Sequence, residues 1–155
     1  MSNPALLADY LFIGPLIQQR LRDEVSDVLG ADGAVVGVER YDQAALQNVN
    51  APTAFVLWQG DASDNGETSR AVGGRGQIVR QQWIVVLAVR NADQYAADGR
   101  NGLAGSLMSR IHKALAGWTP DGAFRPLTRV LGGAKPSYPP NVGLYPLLFE
   151  SQLNL

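Results

Sequence analysis

The sequence contains no cysteine and only one histidine, His112. The absence of cysteine excludes disulfide bonds, thiolate-ligated zinc and a thiol nucleophile. One imidazole offers too few ligands for a transition-metal site, and no nucleophile lies at a triad spacing from His112. We therefore predict no metal, no cofactor and no catalytic residue, and we interpret His112 as an ordinary surface or boundary residue.

Charge is also scarce. Asp, Glu, Lys and Arg make up 17% of the 155 residues, and the formal net charge is −1. Because there is no overall positive field, non-specific nucleic-acid binding is not expected as the main role. Hydrophobic residues reach 46%, which is enough for one real core. So few charged residues leave more uncharged surface than usual, and such surface is often covered by a partner protein.

Long hydrophobic runs are missing as well. The main apolar run, Ile84 to Val89, is far shorter than a membrane span. The first residues, MSNPALLADYLFIGP, lack the basic start of a signal peptide. We therefore predict a protein without membrane contacts.

Two polar stretches superficially match ligand-binding motifs. Asp61, Ser63 and Asn65 begin like a calcium-binding loop, but Val72 stands where that pattern needs a bidentate glutamate. Gly73–Gly76 is glycine-rich, but no Gly-Lys-Ser/Thr and no helix follow it. We interpret both as solvated turns. A small enzyme with a carboxylate pair, or a ligand-binding domain with an apolar pocket, stays open as an alternative.

Two amphipathic segments predict helices. The first begins near Pro15 and ends at Gly30, with inward positions at Ile17, Leu21, Val25 and Val28. The second runs roughly from Leu103 to Ala116, and Gly117 ends it. The apolar stretch before the first helix extends it, or belongs to an N-terminal arm, residues 1–13, that packs on a neighbour.

Strands are predicted at residues 34–39, 53–59, 77–90, 124–130 and 144–153. The second is apolar at both parities, so we expect both of its faces to be covered. The third is expected to be central, and Trp58 and Trp83 are expected in the core. Pro146 has no N–H for a ladder, so it marks an edge position or the start of the last strand.

These elements predict an α+β fold, a mostly antiparallel sheet of about four or five strands with two main helices packed on it. We expect a single domain over residues 1–155. Residues 60–76 are predicted to form a long hairpin loop, and a loop of that length is usually functional or mobile. Residues 132–143, rich in proline, predict a second loop.

Several residues in or beside these loops are candidates for a subunit or partner interface. Three arginines could present positive charge from the long loop to a neighbouring subunit or to DNA passing through a ring: Arg70, Arg75 and Arg80. Four aromatic residues are candidate anchors: Trp118, Phe124, Tyr138 and Tyr145. The alternative, that these aromatic residues close the ends of the core, is equally consistent with the sequence.

Four stretches together resemble the tail terminator, or tail-completion, proteins of long-tailed bacteriophages, including those of Mu-like prophages. They are PLIQQRLRDEVSDVL; PTAFVLWQGD with the strand QQWIVVLAVRN; LAGSLMSRIHKALAGWTP; and YPLLFESQL. The resemblance lies in the order and length of these stretches and in their pattern of polar and apolar residues. Together they span most of the chain.

The resemblance implies a structural virion protein with helices on one side of a sheet. Such proteins form a ring, usually hexameric, that caps the tail tube, stops its growth and joins the tail to the head. The implied partners are further copies of the chain, the tail-tube protein and head–tail connector or neck proteins. The implied location is the virion tail, assembled in the host bacterial cytoplasm. Another connector, neck or tail-tube role remains the alternative.

Overall fold

The computed structural model describes residues 9–29, 34–37, 52–63, 78–90, 97–122, 124–132, 135–138 and 142–154. These residues contain the helices α1 (Ile13–Leu29) and α2 (Ala97–Leu115). They also contain five strands: β1 (Ala34–Gly37), β2 (Thr53–Ser63), β3 (Ile78–Arg90), β4 (Thr128–Val130) and β5 (Val142–Asn154). The predicted α+β class is confirmed.

All five strands belong to one sheet, in the order β1-β2-β3-β5-β4. The pair β1 and β2 is parallel, and the other three pairs are antiparallel. The strand β3 lies in the middle of the sheet, as the continuous apolar stretch from Trp83 to Val89 predicted. Both β2 and β5 pair with it over most of their lengths.

Both helices contribute to the same core cluster as one face of the sheet. The predicted stripe of α1 is buried at Ile17, Leu21 and Val25. The stripe of α2 is buried at three residues in turn: Leu107, Ile111 and Leu115. The opposite face of the sheet is buried too, around Phe55, Leu57, Ile84 and Val86. The prediction that β2 is covered on both faces is therefore confirmed.

Several element boundaries differ from the predicted ones. The helix α2 begins at Ala97, earlier than the predicted start at Leu103. The prediction missed these residues because they are polar and include Gly102, which lowers helix stability without ending the helix. The strand β4 spans only Thr128–Val130, and Phe124 makes an isolated bridge to Leu153. Pro126 stands between them and cannot donate to a ladder.

The strand β2 continues to Ser63, so residues 60–63 are strand and not loop. Residues 64–76 of the predicted hairpin loop lie outside the described residues, as do residues 1–8 of the predicted arm. Residues 9–12 pack on the chain's own core through Tyr10, Leu11 and Phe12. The strand β5 begins at Val142, two residues earlier than predicted.

Pro146 lies inside β5, opposite Val86 of β3. Leu144 exchanges both backbone hydrogen bonds with Ser137, away from β3. Pro146 has the same parity as Leu144, so its nitrogen also faces away from β3. On that side the pairing with β4 has already ended, at Val130 and Leu148. The proline therefore occupies a local edge within a strand that is itself not an edge strand.

Gly117 ends α2 in the left-handed region, with φ of 81°. A Cβ there would meet no atom within 4 Å, so the cost of Gly117→Ala is conformational. We expect a loss of about 1–2 kcal/mol of unfolding free energy. Gly105→Ala is the matched control, because Gly105 is exposed within α2 with nothing near its Cβ position. That change should stabilise the protein by up to about 1 kcal/mol. Urea denaturation measures both, and equal effects of the two changes would contradict this account.

Candidate interface surfaces

A bulge in β2 shapes one end of the sheet. Trp58 pairs with Trp83 and Gly60 pairs with Gln82, so Gln59 is one extra residue in β2. Gly60 has φ of 120°, a conformation that glycine adopts without strain. Because the bulge shifts the parity, Asp61 lies on the same face as Trp58, the face on which the helices pack.

Tyr10 attaches the start of α1 to this end of the sheet. Its hydroxyl donates to Oδ2 of Asp61 at 2.8 Å, and its ring meets Trp58 edge-on at 6.5 Å. Gln81, which is fully buried, donates through Nε2 to the Tyr10 carbonyl at 2.9 Å. Oε1 of Gln81 accepts from Nε1 of Trp83, also at 2.9 Å. We call these five residues the Tyr10 clasp.

An open groove of about 470 Å³ lies beside the clasp, between the first turn of α1 and the β1–β2 edge. Most of its wall is apolar and includes Leu11, Pro15, Val56, Trp58 and Trp83. Asp9 lies at the groove and accepts a hydrogen bond from the Leu11 amide at 2.9 Å. We call it the α1 groove. Its volume and lining are of the kind that receives apolar side chains.

Trp58 was predicted to lie in the core, and this was wrong, because the side chain is 38% exposed in the α1 groove. The edge strand β1 pairs with β2 only as far as Val56, so no described strand flanks the outer side of β2 at Trp58, opposite β3. Trp83, one strand further in, is 5% exposed and was predicted correctly.

Two glycines allow the groove walls to approach closely. A Cβ on Gly14 would lie 2.8 Å from Cη2 of Trp83, and one on Gly37 would lie 2.7 Å from Nε2 of Gln18. Both distances are shorter than a van der Waals contact. At Gly14 the helix and the Trp83 ring therefore meet at a spacing that favours glycine, whereas at Gly37 the flexible end of Gln18 can move aside.

The opposite edge of the sheet also exposes large apolar side chains. Leu131, directly after β4, is 89% exposed, and Tyr138 is 57% exposed. The Tyr138 ring meets Tyr145 edge-on at 6.0 Å. Ser137 is bridged to Leu144 and Val130 is paired with Leu148, so both exposed residues flank the outer side of β5. We call Leu131 and Tyr138 the β4-edge knobs.

The structure places the predicted interface aromatic residues in different environments. Tyr145 lies within β5 and is 6% exposed, and Phe124 is 4% exposed and packs on Phe12. Trp118 is half-buried below the guanidinium of Arg20, which lies 5.6 Å from its ring centre. Among the four, Tyr138 presents the most side-chain surface. That these residues contact a partner stays a prediction.

Of the three predicted arginines, Arg80 lies in β3, and its Nη1 is 3.9 Å from Oε1 of Glu150. Arg70 and Arg75 lie outside the described residues. Sequence reasoning did not identify Tyr10, Trp58 or Gln81 as a site. Tyr10 and its partners are separated by 51 and 71 positions in the chain, so no local pattern signals the clasp.

Within the described part of the chain, no three His, Cys, Asp or Glu residues come together as a metal site would require. His112 is exposed on α2, with its ring 6.4 Å from that of Phe149. No helix among these residues is both long and apolar enough to cross a membrane.

The Tyr10 clasp predicts a pH effect. Burial, followed by the hydrogen bond to Asp61 and its negative charge, raises the pKa of Tyr10 to about 12. An unfolded tyrosine titrates near pH 10, so the unfolded chain loses the proton first and wild-type stability falls between about pH 10 and 12. Tyr10→Phe should cost about 0.5–1.5 kcal/mol at pH 8, and this deficit should shrink above pH 10. Urea denaturation of both proteins from pH 8 to 11.5 measures it, and a pH-independent difference would refute the assignment.

Comparison with known proteins shows the family to which the chain belongs. A search of curated protein sequences found no significant match to the chain. A family model described as "Phage tail terminator protein" matches residues 7–155, which include both helices, all five strands, the clasp and both exposed surfaces. The chain therefore belongs to the phage tail terminator protein family.

Proposed function

We propose that the chain forms a hexameric ring that caps the phage tail tube, ends its growth and provides the surface that joins the tail to the head. Membership of the terminator family supports this proposal, because the family match extends over residues 7–155. The family establishes a structural component of the phage tail. The ring, its position at the end of the tube and its contact with the head are the proposed steps.

The described surface is consistent with such a role. A closed ring uses a heterologous contact, in which two different patches of each subunit meet. Among the places where the described residues expose apolar side chains, two lie at different sides of the sheet: the α1 groove and the β4-edge knobs. The proposed partners are further copies of the chain, the tail-tube protein and a head–tail connector or neck protein, with DNA passing through the lumen. The proposed site of assembly is the host cytoplasm, before the virion is complete.

Light scattering coupled to size exclusion tests the ring directly. We expect either a mass of about 100 kDa in free solution, that of a hexamer of the 16.6 kDa chain, or a monomer that becomes a ring only on tube ends. Electron microscopy of tubes mixed with gold-labelled protein should show label at one end only. Label along the whole tube would instead indicate a tube protein. A strict monomer that never binds tubes would refute the proposal.

A further inference from the structure

We propose that the β4-edge knobs of one copy insert into the α1 groove of the next copy, so that these two surfaces form the subunit contact. The inference rests on the proposed ring, because it names the residues by which neighbouring copies meet. It assigns the groove to a second copy of this chain and not to a small molecule.

The position of the two surfaces is the first argument. The α1 groove lies at the β1–β2 edge of the sheet, and the β4-edge knobs follow the strand at the other edge. Four strand spacings separate these edges, a distance of about 19 Å. A head-to-tail contact requires a projecting patch and a receiving patch at different sides of the subunit, because identical patches would close a dimer instead.

The shapes of the two surfaces match in kind. Leu131 projects and is 89% exposed as a residue, and Tyr138 projects and is 57% exposed. The groove of about 470 Å³ is larger than either side chain and offers Trp58, which is itself 38% exposed, as an aromatic wall. A tyrosine and a tryptophan that lose their water in the centre of a contact are typical of residues that dominate binding.

Charge gives the third argument. Asp9 is the charged residue among those that line the groove, and Asp61 is exposed beside it in the clasp. On the knob side, Lys135 is exposed three positions before Tyr138. Opposite charges at the rim of an apolar contact favour one register and one partner over others. The groove and the knobs therefore complement each other in position, shape and charge.

The absence of native cysteine allows a direct test by disulfide crosslinking. Leu131→Cys is mixed with Pro15→Cys, which changes an exposed residue of the groove wall. We expect a covalent dimer that contains one copy of each variant. Ser109→Cys replaces Pro15→Cys as the control, because Ser109 is exposed on α2 outside both surfaces. Equal crosslinking to the control, or mainly Leu131–Leu131 crosslinks, would overturn the proposal.

A substitution pair gives a second readout. Leu131→Glu should raise the protein concentration needed for assembly about tenfold or more, as the loss of a central contact residue does. Leu103→Glu is the control, since Leu103 is 44% exposed on α2 and lies in neither surface. Circular dichroism checks that both variants fold. If wild-type chains assemble but Leu131→Glu assembles equally well, only this inference fails. If wild-type chains neither assemble nor bind tubes, the proposed ring fails with it.

A groove filled by another segment gives a different result. If residues 1–8 of the same chain or a tail-tube protein occupy it, Pro15→Cys will not crosslink to Leu131→Cys in assembled wild-type-like rings. That outcome would reject the second copy as the occupant while leaving the ring intact.

Discussion

Phe149→Ala is expected to lower the free energy of unfolding by about 3–5 kcal/mol, since truncation of a buried phenylalanine removes its packing and leaves a cavity. Phe149 is 1% exposed and lies in β5, opposite Trp83 of β3 on one side and Arg129 of β4 on the other. The Arg129 guanidinium lies 5.8 Å from its ring centre, and the His112 ring lies 6.4 Å away. The side chain thus joins β3, β4, β5 and α2.

Urea denaturation followed by circular dichroism measures this loss. Leu103→Ala is the control, because that leucine is 44% exposed and alanine suits a helix. We expect the control to change stability by less than about 1 kcal/mol. An unchanged slope of free energy against urea would show that the native state is intact before it unfolds. A loss at Phe149 no larger than that at Leu103 would contradict the placement of Phe149 at the junction.

Gln81→Ala is expected to cost about 2–4 kcal/mol, a large effect for a polar residue in a strand. Gln81 is 0% exposed, and its amide serves a buried group, Nε1 of Trp83, and a partly buried one, the Tyr10 carbonyl. Alanine leaves both without this partner, and each buried group that loses its hydrogen bond costs about 1–3 kcal/mol. The change also removes one of the contacts that attach the start of α1 to the sheet, while the Tyr10–Asp61 hydrogen bond remains.

The neighbouring residue provides a matched control. Gln82→Ala alters the same residue type in the same strand on the opposite face, where Nε2 of Gln82 lies 3.4 Å from Oε2 of Glu150 and the residue is half-buried. We expect it to cost less than about 1 kcal/mol. Denaturation curves of both variants, together with tryptophan fluorescence from Trp83 and Trp58, test the contrast. Equal losses would show that the buried amide does not hold the clasp together.

Local sequence signals predicted the elements and their class. The helical spacing of Ile17, Leu21 and Val25, and the unbroken apolar run of β3, each depend on a single segment. Such signals can be interpreted without knowledge of the rest of the chain. A buried helix face imposes a periodic pattern of apolar residues, and a strand covered on both sides imposes a continuous apolar run. The same signals, taken in order along the chain, predicted the family that the comparison confirmed.

Boundaries were less predictable, because they depend on neighbours. A polar, glycine-containing start hid the first two turns of α2, and Pro126 together with the short pairing of β4 reduced the predicted strand to three residues. Pro146 was assigned to an edge or a strand start. Only the register showed a local edge where β4 has already ended.

By itself, then, the sequence determined the α+β class, the central strand, the helix faces and the absence of cysteine chemistry, since each follows from composition or from a short periodic pattern. The tertiary structure alone decided that Trp58 borders an open groove, that Gln81 is buried with two partners, and that Leu131 projects from the far edge. The physical reason is that exposure and hydrogen bonding at these positions depend on where β1 ends, on the bulge at Gly60 and on contacts between residues far apart in the chain.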